Sequence, residues 1–148
     1  MMSIEQHETF LKSTHVPLRL SVVSDDEPLI VPLWFVYEGG ALWCACQRES
    51  YLVRRLSKQM TDERQEAHCA FDISTNTAPY QGVAGAGYVT LHMDQGEDRL
   101  RSLIQRYLND PGSPFAQWLS ARATDEVALR IRPTRVRAWD FTNRMSKQ

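Results

Sequence analysis

The chain alternates short apolar stretches with polar turns, and most of these stretches have the two-residue period of β-strands. Leu18–Ser24 alternates apolar and polar positions, as a strand with one buried face does. Leu29–Tyr37 is apolar on both alternating sets, which predicts a strand covered on both faces. Further strands are predicted at Ala41–Cys46, Ala67–Ile73, Gly82–Leu91, Glu126–Arg132 and Arg135–Phe141.

Other stretches carry apolar residues at helical spacing. They predict helices at Tyr51–Lys58, Asp94–Asn109 and Ser113–Ala121, and a short helix at Ser3–Lys12 with Ser3 as its N-cap. No β-α-β unit repeats, so the pattern favours an antiparallel sheet over a parallel one. We therefore expect a single domain over 1–148, mainly β with an α+β arrangement. Its predicted form is a small antiparallel barrel of six or seven strands with two or three peripheral helices.

Composition narrows the range of partners. The formal net charge is −1, and no long block of like charge is present, so an extended nucleic-acid surface is disfavoured. No apolar run approaches the roughly 18 residues that a membrane helix needs. The first residues, MMSIEQHETF, lack the basic and apolar regions of a secretory signal. We expect a cytoplasmic protein that acts on neither nucleic acid nor membranes.

The three cysteines predict thiols and not a metal centre. Cys44 and Cys46 lie two apart on a predicted strand, and Cys69 lies on another. The spacing differs from a C-x-x-C redox turn, and no His or Cys cluster completes a tetrahedral set. Reduced, partly buried thiols are the expectation, with no metal bound.

A hairpin followed by a basic segment is the most informative stretch. Glu38-Gly39-Gly40 provides the glycines that a tight turn needs, and the return strand ends in the polar loop 47–50. Ser50 then begins a helix whose first turns contain Arg54 and Arg55. Free backbone N–H groups and nearby guanidinium groups suit an anion. The alternative is a serine N-cap on an ordinary surface helix with solvated arginines.

Three segments of the chain form an ordered set of motifs. The first is IVPLWFVYEGGALWCACQRESYLVRRL at 30–56, the second PYQGV at 79–83, and the third LRIRPTRVRAWDF at 129–141. In this order they resemble the FMN-binding split barrels of the pyridoxamine 5'-phosphate oxidase-like superfamily. The resemblance extends from about Leu18 to Phe141. It implies a split β-barrel that forms a homodimer with FMN at the subunit interface.

The resemblance also implies which residues contact the cofactor. The flavin ring would lie along one strand, formed by Ile30, Val31, Pro32, Leu33 and Trp34. The phosphate would be surrounded by Cys46, Arg48, Ser50, Arg54 and Arg55. Residues that could reach across from either subunit are Tyr80, Gln81 and Trp139.

This chain departs from the family pattern around the phosphate. Cys46 stands where the pattern has Thr, Tyr51 where it has Arg, and Leu52 where it has Lys. A thiol is a poor donor and leucine is none, so two charge-assisted hydrogen bonds of about 1.5–3 kcal/mol each are missing unless an arginine replaces them. Such losses weaken binding by about a hundredfold or more.

The leading functional hypothesis is an FMN-dependent oxidoreductase acting on an unidentified small molecule. The sequence shows no acid, base or nucleophile arrangement that assigns catalytic residues. The alternative is a non-catalytic ligand-binding or sensing protein with weakened flavin binding. A deazaflavin is a less favoured cofactor, and so is haem, for which the available ligands are His7, His15, His68 and His92.

Overall fold

The computed structural model describes residues 4–146 and contains one seven-stranded antiparallel sheet flanked by helices. The strands are β1 (Leu18–Ser24), β2 (Glu27–Leu33), β3 (Val36–Glu38), β4 (Ala41–Gln47), β5 (Ala67–Ser74), β6 (Gln81–His92) and β7 (Glu126–Asp140). The helices are α1 (Ile4–Ser13), α2 (Tyr51–Lys58), α3 (Gly96–Tyr107), α4 (Pro114–Ala121) and the short α5 (Thr142–Met145). This confirms the predicted mainly β, α+β class. Ser3, the predicted N-cap of the first helix, lies outside the described residues.

The sheet is an open barrel whose two edge strands are consecutive in the chain. The strand order is β2-β1-β5-β6-β7-β4-β3, so β2 and β3 lie at opposite edges although only Trp34 and Phe35 separate them. The barrel is therefore open between β2 and β3, which are connected by Trp34 and Phe35 but do not pair with each other. Inside lies one main apolar cluster, and its largest fully buried side chains include Phe35, Leu20, Leu42, Leu129 and Ile131.

The prediction of one strand over Leu29–Tyr37 is wrong, because the segment changes its pairing partner in the middle. Its first part pairs with β1, with Leu33 opposite Leu18, whereas its last part pairs with β4, with Val36 opposite Trp43. Phe35 turns into the core between them and is fully buried. The predicted hairpin turn is confirmed, with Gly39 and Gly40 at φ of 60° and 75°.

The prediction of two final strands is also wrong, since β7 runs unbroken from Glu126 to Asp140. The break predicted at Pro133-Thr134 is a bulge opposite Ala86 and Gly87. Glycine is needed there, because a Cβ on Gly87 would lie 2.3 Å from the carbonyl oxygen of Arg132. Pro133 has no N–H to donate to the ladder, and the bulge allows the strand to continue past it.

Helix α2 packs against β1 and is tied to the turn between β1 and β2. Both central residues of that turn, Asp25 and Asp26, have positive φ, which is uncommon for residues other than glycine. Lys58 Nζ binds the Asp25 carboxylate at 2.9 Å, and the Arg55 guanidinium donates to the carbonyl oxygens of Ser24 and Glu27. These contacts place the C-terminal half of α2 beside the start of β2.

Candidate functional site

The N-terminus of α2 is built as an anion cradle. Ser50 is the N-cap, and its Oγ accepts the backbone N–H of Val53 at 3.3 Å. The N–H of Arg54 bonds to the Ser50 carbonyl oxygen at 3.1 Å. The first N–H groups of a helix have no intrahelical acceptor, so those of Tyr51 and Leu52 remain for an outside group, with no acceptor among residues 4–146.

Two exposed guanidinium groups flank this cradle. Arg48 lies in the turn before the helix, where its backbone N–H bonds to the Asp125 carbonyl oxygen at 2.8 Å. Arg54 lies on the outer side of the first turn, 5.8 Å from the ring centre of Tyr51. Neither arginine forms an ion pair with another described residue. Both can therefore turn toward an anion at the helix N-terminus without breaking an existing pair.

Arg55 differs from Arg54 although the two are adjacent. Its side chain is 3% exposed, and its guanidinium donates to Ser24 Oγ, to the Ser24 carbonyl at 3.1 Å and to Tyr51 Oη at 2.8 Å. It also donates to the Glu27 carbonyl oxygen. The structure thus places Arg55 in the support of the β1–β2 turn, behind the cradle.

Leu52 and Cys46 form the apolar floor of the cradle. Leu52 is buried in the main core cluster, so the position that carries Lys in the family pattern is used here for packing. Burial raises the pKa of the Cys46 thiol to about 11, which keeps it neutral at pH 7. The Ser50 hydroxyl lies 3.7 Å from Cys46 Sγ as a weak donor. No thiolate therefore opposes an anion here.

Strand β2 supplies Ile30–Leu33 of the predicted ring-binding segment, and Trp34 follows directly after the strand. It is an edge strand, paired with β1 only, so a row of its backbone groups has no strand partner among the described residues. Val31 and Leu33 are half-buried against the core, whereas Pro32 is exposed and Ile30 is 67% exposed. Within one chain, the second face of this apolar strand is uncovered.

Trp34, at the end of that segment, points toward the helices. Its ring stacks on Tyr107 with a centroid distance of 5.1 Å and an interplanar angle of 3°. It packs against the small cluster between α3 and α4 formed by Leu100, Ile104, Ala116 and Ala123. The Trp34 side chain therefore packs beneath α3 and α4.

The three remaining predicted residues lie together at the other end of β7. Gln81 pairs with Asp140, and Trp139 pairs with Gly82. The Trp139 ring lies against Gly82, where a Cβ would be 2.4 Å from Trp139 Cζ2. Tyr80 is 43% exposed beside them. The structure therefore brings Tyr80, Gln81 and Trp139 into one cluster.

That second cluster is remote from the cradle within one chain. Cys46 pairs with Val127 near the start of β7, whereas Gln81 pairs with Asp140 at its end. At roughly 3.3 Å per residue, these positions are on the order of 40 Å apart along the strand. Within one chain, the cluster of Tyr80, Gln81 and Trp139 therefore lies at the opposite end of β7 from the position that pairs with Cys46.

A polar corner beside the cradle was not found from the sequence. Gln47 Nε2 donates to Glu126 Oε2 at 3.0 Å and to the Arg122 carbonyl oxygen at 3.3 Å. Glu126 is 7% exposed, and burial raises the pKa of its carboxyl group, although the Gln47 hydrogen bond opposes the rise. The acidic residue at the start of an apolar strand is the one sequence signal that could have indicated a buried carboxylate.

The described residues contain no cluster of three or more His, Cys, Asp or Glu side chains arranged to bind a metal. Within the same range, no helix has the length and apolar character needed to cross a membrane.

An open antiparallel barrel with a capped helix N-terminus at one end defines a split-barrel protein with a candidate anion site. The chain matches the profile of the pyridoxamine 5'-phosphate oxidase family over residues 4–140, and it belongs to that family. The resemblance inferred from the three motifs is thereby confirmed. No curated protein matches the chain.

Several solved structures share the fold at low sequence identity. A conserved hypothetical protein from Mycobacterium tuberculosis aligns over 95% of this chain and 86% of its own, with a TM-score of 0.75 and 18% identity. An F420 reductase aligns over 88% and 94%, with a TM-score of 0.69 and 20% identity. An FAD- and haem-binding protein from Mycobacterium smegmatis aligns over 95% and 72%, with a TM-score of 0.68 and 15% identity.

Proposed function

We propose that the protein binds a flavin through its FMN portion and acts as a flavin-dependent oxidoreductase on a small molecule. The observation that carries the proposal is the α2 cradle, where two free N–H groups and the exposed Arg48 and Arg54 surround a site suited to phosphate. Family membership supports it, as do neighbours whose names specify F420, FAD and haem. The flavin would supply the redox chemistry, and the protein would hold and orient it.

The ring of the flavin is proposed to lie along Ile30–Trp34. Its first four residues belong to the edge strand β2, whose unpaired backbone groups can hydrogen-bond to the polar edge of a planar ring. The Arg55 bond to the Glu27 carbonyl holds the start of this strand beside α2. Ring and phosphate sites are thus supported by one connected piece of structure.

We further propose that the functional unit is a homodimer with the cofactor at its interface. The separation of Tyr80, Gln81 and Trp139 from the cradle supports this, because a second copy would bring its own cluster to the cradle of the first. The outer face of β5, β6 and β7 offers a contact surface, a shallow depression of about 400 Å³ lined by Ala70, Ala84, Ala86, Asp72, Arg135 and Arg137. Small central side chains with opposite charges at the sides suit a two-fold contact.

The flavin proposal predicts a visible cofactor. Purified protein that is incubated with FMN and then freed of unbound ligand should retain the absorbance spectrum of bound flavin. A nicotinamide donor should bleach that spectrum if the protein is an oxidoreductase. Protein that shows no flavin absorbance even after added FMN would overturn the proposal.

A second candidate function is non-catalytic ligand binding or sensing. It is favoured by Leu52 and Arg55, since both are committed to structural contacts and neither contributes a donor to the cradle. The same spectroscopic experiment distinguishes the two functions. Flavin that stays bound and is readily reduced would exclude the second candidate.

The dimer proposal predicts a loss of both association and flavin binding from one change. Ala70 is exposed in the single chain, so Ala70→Arg should leave the fold intact but place a charge in the proposed contact surface. Light scattering should give twice the chain mass of 17.0 kDa for the wild type and one chain mass for the variant. The exposed Gln105→Arg on α3 is the control and should remain a dimer. A monomeric wild type that binds flavin would contradict the dimer proposal alone.

A further inference from the structure

Helix α4 exposes two large aromatic side chains, Phe115 and Trp118. Phe115 is 51% exposed and Trp118 is 54% exposed. Their rings lie 6.1 Å apart between centroids at an interplanar angle of 14°. We name them the α4 ring pair. The guanidinium of Arg122 lies 4.2 Å from the Trp118 ring centre.

The α4 ring pair lies next to two aromatic rings that pack inside the fold, those of Trp34 and Tyr107. Trp34 and Tyr107 stack on each other between β2 and α3, and Phe115 meets Trp34 edge-on at 6.3 Å. The α3–α4 cluster itself is completed by buried Ala116 and half-buried Leu119. Trp118 is not needed to cover this cluster. A large apolar ring held half in solvent beside a cation is typical of a recognition surface.

The ring pair is joined to the anion cradle through the polar corner. Arg122, at the C-terminus of α4, accepts a hydrogen bond from Gln47 through its carbonyl oxygen, and Asp125 accepts one from the Arg48 backbone N–H. Gln47 and Arg48 begin the loop that leads into Ser50. The loop before α2 and the turn after α4 are therefore in direct contact, with the cradle on one side and the ring pair on the other.

We propose that the ring pair binds a second aromatic ring, joined through the phosphate to the flavin, so that the preferred ligand is a flavin adenine dinucleotide. This inference rests on the proposed flavin function. The corner contains Arg48 and Arg122 but also Glu49 and Asp125, so it has no strong excess of positive charge. Recognition is accordingly by stacking of the adenine on Trp118, with Arg122 behind the ring. Base–aromatic stacking contributes about 1–3 kcal/mol per base.

The test compares FAD with FMN on the full chain. Wild-type protein should bind FAD about tenfold more tightly than FMN, a ratio equal to about 1.4 kcal/mol. Trp118→Ala should remove that preference by weakening FAD binding, with the dissociation constant for FMN unchanged. Met93→Ala, which removes a side chain of similar exposure at 49%, is the control and should alter neither constant.

The possible failures are distinguishable. Equal affinity for FAD and FMN, or an equal loss of both in Trp118→Ala, would overturn the dinucleotide inference and leave the flavin proposal standing. A change in the mass of Trp118→Ala by light scattering would show that the ring pair is covered by a second copy of the chain, which also overturns the inference. If neither FAD nor FMN binds, both proposals fail together.

Discussion

Arg55→Met should lower the free energy of unfolding by about 3 kcal/mol, which is a large fraction of the roughly 5–15 kcal/mol that stabilises most domains. The guanidinium is 3% exposed and donates to the carbonyl oxygens of Ser24 and Glu27, to Ser24 Oγ and to Tyr51 Oη. Methionine fills a similar volume but donates nothing, so buried acceptors lose their partner. Thermal unfolding should show a midpoint lower by about 10 °C.

The adjacent arginine provides the matched control. Arg54 is exposed, and it forms no ion pair with another described residue, so Arg54→Met should change stability by about 0.5 kcal/mol or less. Arg55→Lys is a second comparison, since one ammonium group cannot reach all the acceptors that the planar guanidinium contacts. Equal stability of Arg54→Met and Arg55→Met would show that the described hydrogen bonds do not hold the turn.

The contrast between these two arginines marks the limit of what the sequence predicted about the site. Both follow Ser50 within the first turns of a correctly predicted helix, and both were assigned to the phosphate. Helical geometry places Arg54 opposite the apolar face of Leu52 and Leu56, whereas Arg55 borders that face. The position of Arg55 at the border of the apolar face indicates that its side chain is buried. The acceptors that bind it come from a turn about thirty residues earlier in the chain, which no local pattern specifies.

Most strands could be predicted from local patterns, because apolar and polar positions alternate within each of them. Predictions failed where a strand's partner changes or where the ladder is irregular. The residues between β2 and β3, Trp34 and Phe35, are as apolar as their neighbours, so periodicity contains no sign that the chain moves from one sheet edge to the other. Likewise Pro133 predicts an end to a strand, and only the pairing with Gly87 turns it into a bulge.

The separation of the predicted site residues into two clusters has a similar origin. The family resemblance assigned Tyr80, Gln81 and Trp139 to the same ligand as Ser50, without stating how far apart they lie in one chain. The register of β7 shows that the two clusters are separated, because Cys46 and Gln81 pair with opposite ends of this strand. If Tyr80, Gln81 and Trp139 contact the same ligand as Ser50, a second copy of the chain must supply them, and this is why Ala70→Arg tests association and binding together.

The double variant Ser50→Ala with Arg54→Ala should raise the dissociation constant for FMN by about a hundredfold. The hydroxyl and the guanidinium would each contribute a hydrogen bond to the phosphate, worth about 1.5–3 kcal/mol when the acceptor is charged. Riboflavin has the same ring but no phosphate, so its dissociation constant should be nearly unchanged. Titration of flavin fluorescence with both ligands measures the two constants under one condition.

Two controls separate phosphate binding from damage to the helix. Ser50→Ala also removes the N-cap, at a cost of about 1 kcal/mol, whereas Ser50→Gly lacks the hydroxyl and costs only a few tenths. Both should weaken FMN binding equally if the hydroxyl acts on the phosphate. Lys58→Ala removes a cation from the far end of the same helix, where Nζ binds Asp25 at 2.9 Å, and should leave FMN binding unchanged. A loss of riboflavin binding as large as the loss of FMN binding would show that the phosphate lies elsewhere, because only the phosphate distinguishes the two ligands.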